Sequence, residues 1–193
     1  MKTLAILLAA LPLSACISFG AEPPPSLLTL TSAAAVPVGQ TQSSGAAQTI
    51  TISVPSTPQE LSVARVPVRS TDTSIAYVKD AQWVEPPARL FARLLADTMT
   101  TRTGRVVLSG RQSNVDPGAL LSGELRSFGF EAATSEAVVT YDGALLRKDA
   151  TAFEKRRFEA RVPVTAIDAA NAGVALNQAA NQVAAEVADW VGR

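Results

Sequence analysis

The sequence predicts an α+β fold: a single mixed or antiparallel sheet with two main helices packed on one face. Three observations carry the prediction. Several segments alternate apolar and polar residues with the period of two that a half-buried strand requires. Two other segments repeat apolar residues at three- and four-residue spacing, as an amphipathic helix does. The segments come in the order strands, helix, strand, three long strands, helix, which is not the regular strand–helix alternation of a parallel α/β sheet.

Taken in chain order, residues 26–31 (SLLTLT) form a candidate first strand. Residues 32–48 are rich in Ala, Ser, Gly and Gln without periodicity and read as a flexible connection. In TITISV (49–54), Ile50, Ile52 and Val54 face one way and Thr49, Thr51 and Ser53 the other; Pro55 and Pro58 end that strand. LSVARVPVR (61–69) and SIAYV (74–78) read as two short strands across a Ser-Thr-Asp turn. Pro86-Pro87 open a helix expected over 87–103, because proline fits the first helical turn. Glu85 lies at the favourable end of its dipole. Leu90, Phe91, Leu94, Leu95, Thr98 and Met99 form its apolar stripe, and Gly104 stops it.

Val106–Leu108 is a short strand, followed by the loop GRQSNVDPG. Residues 119–131 and 135–147 form a hairpin. In its first arm the apolar phase switches from Leu121/Leu125 to Phe128/Phe130, which predicts a bulge near Ser127. In its second arm Ala137, Val139, Tyr141 and Leu145 share a face. RFEARVPV (157–164) points Phe158, Ala160, Val162 and Val164 inward and Arg157, Glu159 and Arg161 outward. Asn171 is the candidate N-cap of a final helix over 172–191. Leu176, Ala180, Val183, Val187 and Trp190/Val191 follow helical spacing there, with Asn177, Gln178, Gln182, Glu186 and Asp189 outside.

Composition narrows the chemistry. A chain of 193 residues has room for one domain with a real core. With 47% apolar and 18% charged residues it is globular in composition. Seventeen basic residues balance seventeen acidic ones, without the basic excess of a nucleic-acid binder. The absence of histidine removes Ser-His-Asp and Cys-His mechanisms and His-ligated metals. A single cysteine closes no intramolecular disulfide and builds no Cys-rich zinc site. Neither a phosphate-binding glycine loop nor GxSxG occurs. The expectation is a protein that is not an enzyme and carries no metal or cofactor.

The lone cysteine lies behind an N-terminal leader. Lys2 precedes the ten-residue run LAILLAALPL, too short for a membrane span, which needs ~20 residues. Leu13-Ser14-Ala15-Cys16 resembles the bacterial lipobox, in which the cysteine thiol takes a diacylglycerol and the new N-terminus an acyl chain. At ~0.8 kcal/mol per buried methylene, two or three chains anchor a protein stably. The competing reading is an ordinary secretory leader with a chance cysteine. A lone cysteine followed by the stiff Glu22-Pro23-Pro24-Pro25 spacer favours lipidation. Residues 1–15 are thus expected as a lipoprotein signal peptide, 16–48 as a lipid-anchored tether holding the candidate first strand and the flexible linker, and 49–193 as the α+β domain. Ile17, where inner-membrane lipoproteins of Gram-negative bacteria commonly carry aspartate, points by analogy to the periplasmic face of the outer membrane.

Other side chains invite a functional reading and also have a plainer one. Glu131 and Glu136 flank a turn and read as a solvated hairpin end rather than an acid–base pair. Arg147, Lys148, Lys155, Arg156 and Arg157 form the densest basic segment, suited to anionic lipid head groups or a partner. Asp149 and Glu154 dilute it toward an ordinary exposed turn. Trp83 and Trp190 read as core packing, with membrane or partner contact the alternative for Trp190.

The run IAYVKDAQWVEPPARLFARLLADTM (75–99) resembles the ABC-type transport auxiliary lipoprotein family, with its Trp-x-Glu-Pro box here Trp83-Val84-Glu85-Pro86. LLSGELRSFGFE (120–131) is similar to the family's next strand, with Phe128 at its phenylalanine. RRFEARVPV (156–164), before an Ala-rich helix containing Asn and Gln, is similar to its C-terminal half and marks Arg157 and Phe158. The resemblance spans roughly 26–191. Family members often carry a YxL strand after the tether; here it is Leu28-Thr29-Leu30. The resemblance implies an accessory lipoprotein without catalysis that docks or tethers a lipid-transporting ABC system. Its implied partners are an MCE-domain protein, a permease and an ATPase, with room for self-association. Trp83, Glu85, Pro86, Phe128, Arg157 and Phe158 would then be structural or docking residues. The alternatives are a lipoprotein of another envelope machine, lipopolysaccharide- or Tol-type, and a lipid-anchored periplasmic hydrolase.

Overall fold

A computed structural model of the chain describes residues 26–34, 36–43, 45, 48–108 and 118–192. The leader, Leu13, Ser14, Ala15, Cys16 and the Pro-rich spacer lie outside the described residues, as does most of the 110–118 loop. The elements are β1 (Thr49–Ile52), β2 (Arg65–Thr71), β3 (Ser74–Gln82), α1 (Pro87–Thr103), β4 (Val106–Leu108), β5 (Ala119–Glu131), β6 (Glu136–Arg147), β7 (Glu154–Pro163) and α2 (Ala169–Val191), with a 3-10 turn at Gln59–Leu61. The fold is the expected α+β arrangement, and its sheet is mixed.

The long β5–β6 hairpin is the spine of that sheet. β7 pairs antiparallel with β6 from Glu136↔Pro163 to Leu145↔Glu154. The other edge of β5 is shared. Near its start it pairs parallel with β1 (Thr51↔Leu120, Ile52↔Leu121), and near its end with β2 (Val68↔Phe130, Arg69↔Glu131). β1 also runs parallel to β4, and β3 runs antiparallel to β2. Parallel neighbours need a crossover, and α1 forms part of the β1-to-β4 connection.

The register of β5 on β6 shifts between Leu125↔Tyr141 and Ser127↔Thr140, so Arg126 is an extra residue in β5. The extra residue keeps Leu121 and Leu125 on the same face as Phe128 and Phe130, which a regular strand would not do. The apolar phase switch in the sequence therefore has a steric cause.

Both helices cover that face. Every expected stripe residue of α1 is buried, and Gly104 caps the helix at φ 67°, a left-handed conformation favourable to glycine. α2 buries Leu176, Val183 and Val187 among a row of alanines whose small side chains allow close packing. An edge-to-face chain of rings fills the core: Trp83–Phe128 at 5.4 Å, Phe128–Phe91 at 6.4 Å and Phe91–Tyr141 at 5.4 Å.

Three local expectations are corrected. Residues 26–31 form no strand; Leu28 makes a single bridge to Trp83, and Thr31 turns to α2 for its hydrogen bonds. The connection after Thr31 is not wholly free, since Ala33 and Ala34 bond to α2 and α1. The N-cap of α2 is Asp168, not Asn171: the Asp168 carboxylate accepts from the Asn171 backbone N–H at 2.9 Å. Asn171 lies inside the first turn, and its side chain donates to the same carboxylate oxygen.

Candidate functional site

The Trp-x-Glu-Pro box is a junction between the chain's entry, the sheet and α1. Trp83 N–H donates to the Ala64 carbonyl at 2.8 Å, and Leu28 brackets the box by donating to Gln82 and accepting from Val84. With its backbone held on both sides, the Trp83 indole points into the core. Its Nε1 has no hydrogen-bond partner among the described residues. The Glu85 carboxylate reaches forward to the Arg93 guanidinium. Pro86 caps α1 and Pro87 begins it.

Of the family-type residues, Trp83 and Phe128 meet directly. Phe158 lies elsewhere, 5.5 Å from Trp190. Arg157, its neighbour, faces away from the helices and grips Asp142 at 2.6 and 2.7 Å. Trp83, Phe128 and Phe158 are thus core residues, while Glu85 and Arg157 make partly exposed ion pairs. They do not converge on one surface.

Residues 28–34 form a strap across the two helices. Leu28 packs over Gly173, at a spot 3.2 Å from where a side chain would begin. Asn177 Oδ1 accepts from Thr31 N–H at 2.9 Å. Asn181 accepts from Ala33 N–H at 2.7 Å and donates to the Thr31 carbonyl at 2.9 Å. Thr101 of α1 donates to the Ala34 carbonyl at 2.8 Å. An Asn side chain offers an acceptor and donors together, so one residue satisfies two groups of an extended chain. The spacing of Asn177 and Asn181 by four, on one face of an Ala-rich helix, was the sequence signal for this clamp. Periodicity alone assigns that face to solvent.

The face of the sheet away from the helices carries a cleft of about 230 Å³, bounded by Pro67 and Arg69 of β2, Ile75 of β3, and Thr140 and Arg161 of β6 and β7. Its floor is Gly129, where a Cβ would stand 2.3 Å from the Pro67 carbonyl oxygen. Arg161 binds Glu131 at 2.6 Å, Glu159 at 2.8 Å and Glu136 at 3.1 Å. Hydrogen bonding to these carboxylates raises the Arg161 pKa further above its ordinary value. The Arg161 hydrogen bond, with a further one from Thr140, holds the Glu159 carboxyl below the usual carboxylate range. Glu131 and Glu136 therefore share one guanidinium, an arrangement that suits a structural clamp.

The basic segment lies at the opposite end of the β6–β7 hairpin. Arg147 pairs with Glu154 at 2.8 Å and donates to the Val191 and Trp190 carbonyls at 3.1 and 3.3 Å. It thereby satisfies the open carbonyls at the end of α2. Arg156 lies over the Phe158 ring, 5.0 Å from its centre. Phe153, at the hairpin tip, is 50% exposed.

A family model described as the ABC-type transport auxiliary lipoprotein component matches residues 28–188. Among solved structures, a crystal structure of a DUF330-family protein from Xanthomonas campestris is similar, with a TM-score of 0.71 at 19% identity, covering 86% of this chain and 94% of that one. A second, of a protein described as uncharacterized, has a TM-score of 0.64 at 14% identity, covering 75% of this chain and 92% of that one. At these identities the likeness to the two structures is one of fold. No curated protein matches the sequence.

Proposed function

Since this chain belongs to the family of ABC-type transport auxiliary lipoprotein components, we propose that it is a docking and tethering protein, without catalysis, for an ABC system that moves lipid between membranes together with an MCE-domain protein. Its anchor is the diacylglycerol and N-acyl lipid on Cys16, and its place is the periplasmic face of the outer membrane of a Gram-negative bacterium. Its partners are the MCE-domain protein, the permease and the ATPase of the same system.

The observation that carries the reading is the family match over residues 28–188, which starts at the strap, twelve residues after Cys16. The strap supports it mechanically, because hydrogen bonds from both helices join the chain arriving from Cys16 to the core. The ion-paired carboxylates of the outer sheet face favour binding over chemistry.

Two measurements test the proposal. Cys16→Ser is expected to move the protein from the membrane fraction to the soluble fraction; retention in the membrane would sink the lipid anchor. Affinity purification of the membrane-bound wild type is expected to recover the MCE-domain protein and the permease; recovery of neither would sink the transport assignment.

A further inference from the structure

We propose that the outer edge of β7 pairs with the same edge of a second copy of this chain, antiparallel about a two-fold axis at Ala160. The inference is independent of the transport assignment and concerns how the domain meets its own kind.

The sheet has three edge strands, β3, β4 and β7. Two of them are closed to a further strand. β4 has only three residues. β3 is broken: Val78, Lys79, Asp80 and Ala81 all stand opposite Val66, and Asp80 turns to φ 58°. Leu28 then takes the backbone groups of Gln82 and Val84 at the end of β3. Short length, a bulge and a covering segment are all means of blocking an edge. β7 has none of them. Its ten residues keep one unbroken register with β6, and among the described residues no strand pairs its other side. What β7 carries is charge, which also protects an edge unless the partner's charges match it.

The ladder shows which groups that edge presents. Val164 N–H donates to the Ser135 carbonyl at 2.9 Å, one step past the Glu136↔Pro163 pair. Successive residues of an antiparallel strand turn their backbone groups to alternate sides. Phe158, Ala160 and Val162 therefore bond to β6, and Arg157, Glu159 and Arg161 present N–H and C=O to the open side. Pro163 falls in the second set, so its missing N–H interrupts no bond to β6.

Charge selects the partner and the register. Along the face away from the helices the strand reads Lys155, Arg157, Glu159, Arg161. A two-fold axis at Glu159 would set Arg157 against Arg161 and Glu159 against itself. An axis at Phe158 would set Lys155 against Arg161. An axis at Ala160 sets Glu159 of each copy against Arg161 of the other and leaves no like charges opposed. On the helix side it sets Phe158 against Val162. Each Glu159–Arg161 pair exchanges both backbone hydrogen bonds, and each Arg157 N–H meets a Pro163 carbonyl, which needs no proline donor. The strand is thus complementary to itself in this register.

The test uses the full chain with Cys16→Ser and follows its mass by sedimentation velocity over a concentration series. The expected result is a dimer whose dissociation constant rises about tenfold with Glu159→Arg alone or Arg161→Glu alone. Mixing the two variants should restore association, because every mixed pair then opposes unlike charges. Thermal melting checks that both variants fold. A second readout does not depend on them. Residues facing each other across the axis form a pair without hydrogen bonds, with Cα atoms about 4.5 Å apart, within disulfide reach. In the Cys16→Ser chain, oxidation with diamide is expected to link Ala160→Cys into a covalent dimer and to leave Val162→Cys unlinked. A monomer at every concentration, with no disulfide at Ala160→Cys, overturns the inference. A dimer indifferent to both charge reversals overturns it too, as does a disulfide at Val162→Cys in place of Ala160→Cys. If a reversal unfolds the chain, the disulfide pattern alone decides.

Discussion

At Gly123 and Gly143 two glycines face each other across β5 and β6, and the Tyr141 ring leans over both. A Cβ at Gly123 would stand 2.2 Å from the Asp142 carbonyl oxygen and 2.7 Å from the Tyr141 hydroxyl. That hydroxyl donates to the Ser122 carbonyl at 2.8 Å, and burial pushes the phenol well above its ordinary pKa. Gly123→Ala is therefore expected to cost about 2–3 kcal/mol, read by urea unfolding; a loss under ~0.5 kcal/mol would show that the strands part easily there. Asp142, next along the strand, is held below the usual carboxylate range, first by its hydrogen bond to Arg157. A carboxyl whose folded pKa lies below the unfolded one adds stability that is complete above the unfolded value, about 4, and is lost as pH falls through the folded value. Stability should therefore fall less steeply below pH ~4 in Asp142→Asn than in the wild type. Parallel curves would remove Asp142 from the acid response.

Among the elements, α1 was the most legible. The Pro86-Pro87 start, the stripe from Leu90 to Met99 and the Gly104 stop are all local, and the helix runs from Pro87 to Thr103 as its residues demand. The β5 bulge was legible for a similar reason, because the Leu125-to-Phe128 phase break has to be absorbed by an extra residue. The start of α2 was misread. Asp168 and Asn171 are both good caps, and the chain's exit from β7 selects Asp168. Asp168→Ala is expected to cost about 1 kcal/mol in thermal or urea unfolding, and Asn171→Ala well under half of that; equal losses would return the cap to Asn171. Residues 26–31 were misread because alternation of Leu and Thr is equally consistent with a strap whose polar groups meet helix side chains.

For the molecule as a whole, the strap decides how a pull from the N-terminal side reaches the core. Asn177→Ala with Asn181→Ala is expected to speed amide exchange at Thr31 and Ala33 about five- to tenfold, the weight of roughly one net hydrogen bond, with little change in β5 and β6. Unchanged exchange would mean that the Leu28 and Thr101 contacts alone hold the strap. Properties carried by the chain itself could be read without coordinates: the lone Cys16 behind an apolar N-terminal run, the missing histidine, and the periods that mark most segments as helix or strand. They are local, because a period states which faces must be buried and a composition states which chemistries have no side chain to perform them. The insertion of β1 between β4 and β5, the division of one β5 edge between β1 and β2, and the three carboxylates around Arg161 came only from the tertiary structure. Each joins residues far apart in sequence, and their closeness depends on how the crossover through α1 and the packing of α2 bring separate segments to the same place. No local pattern encodes that.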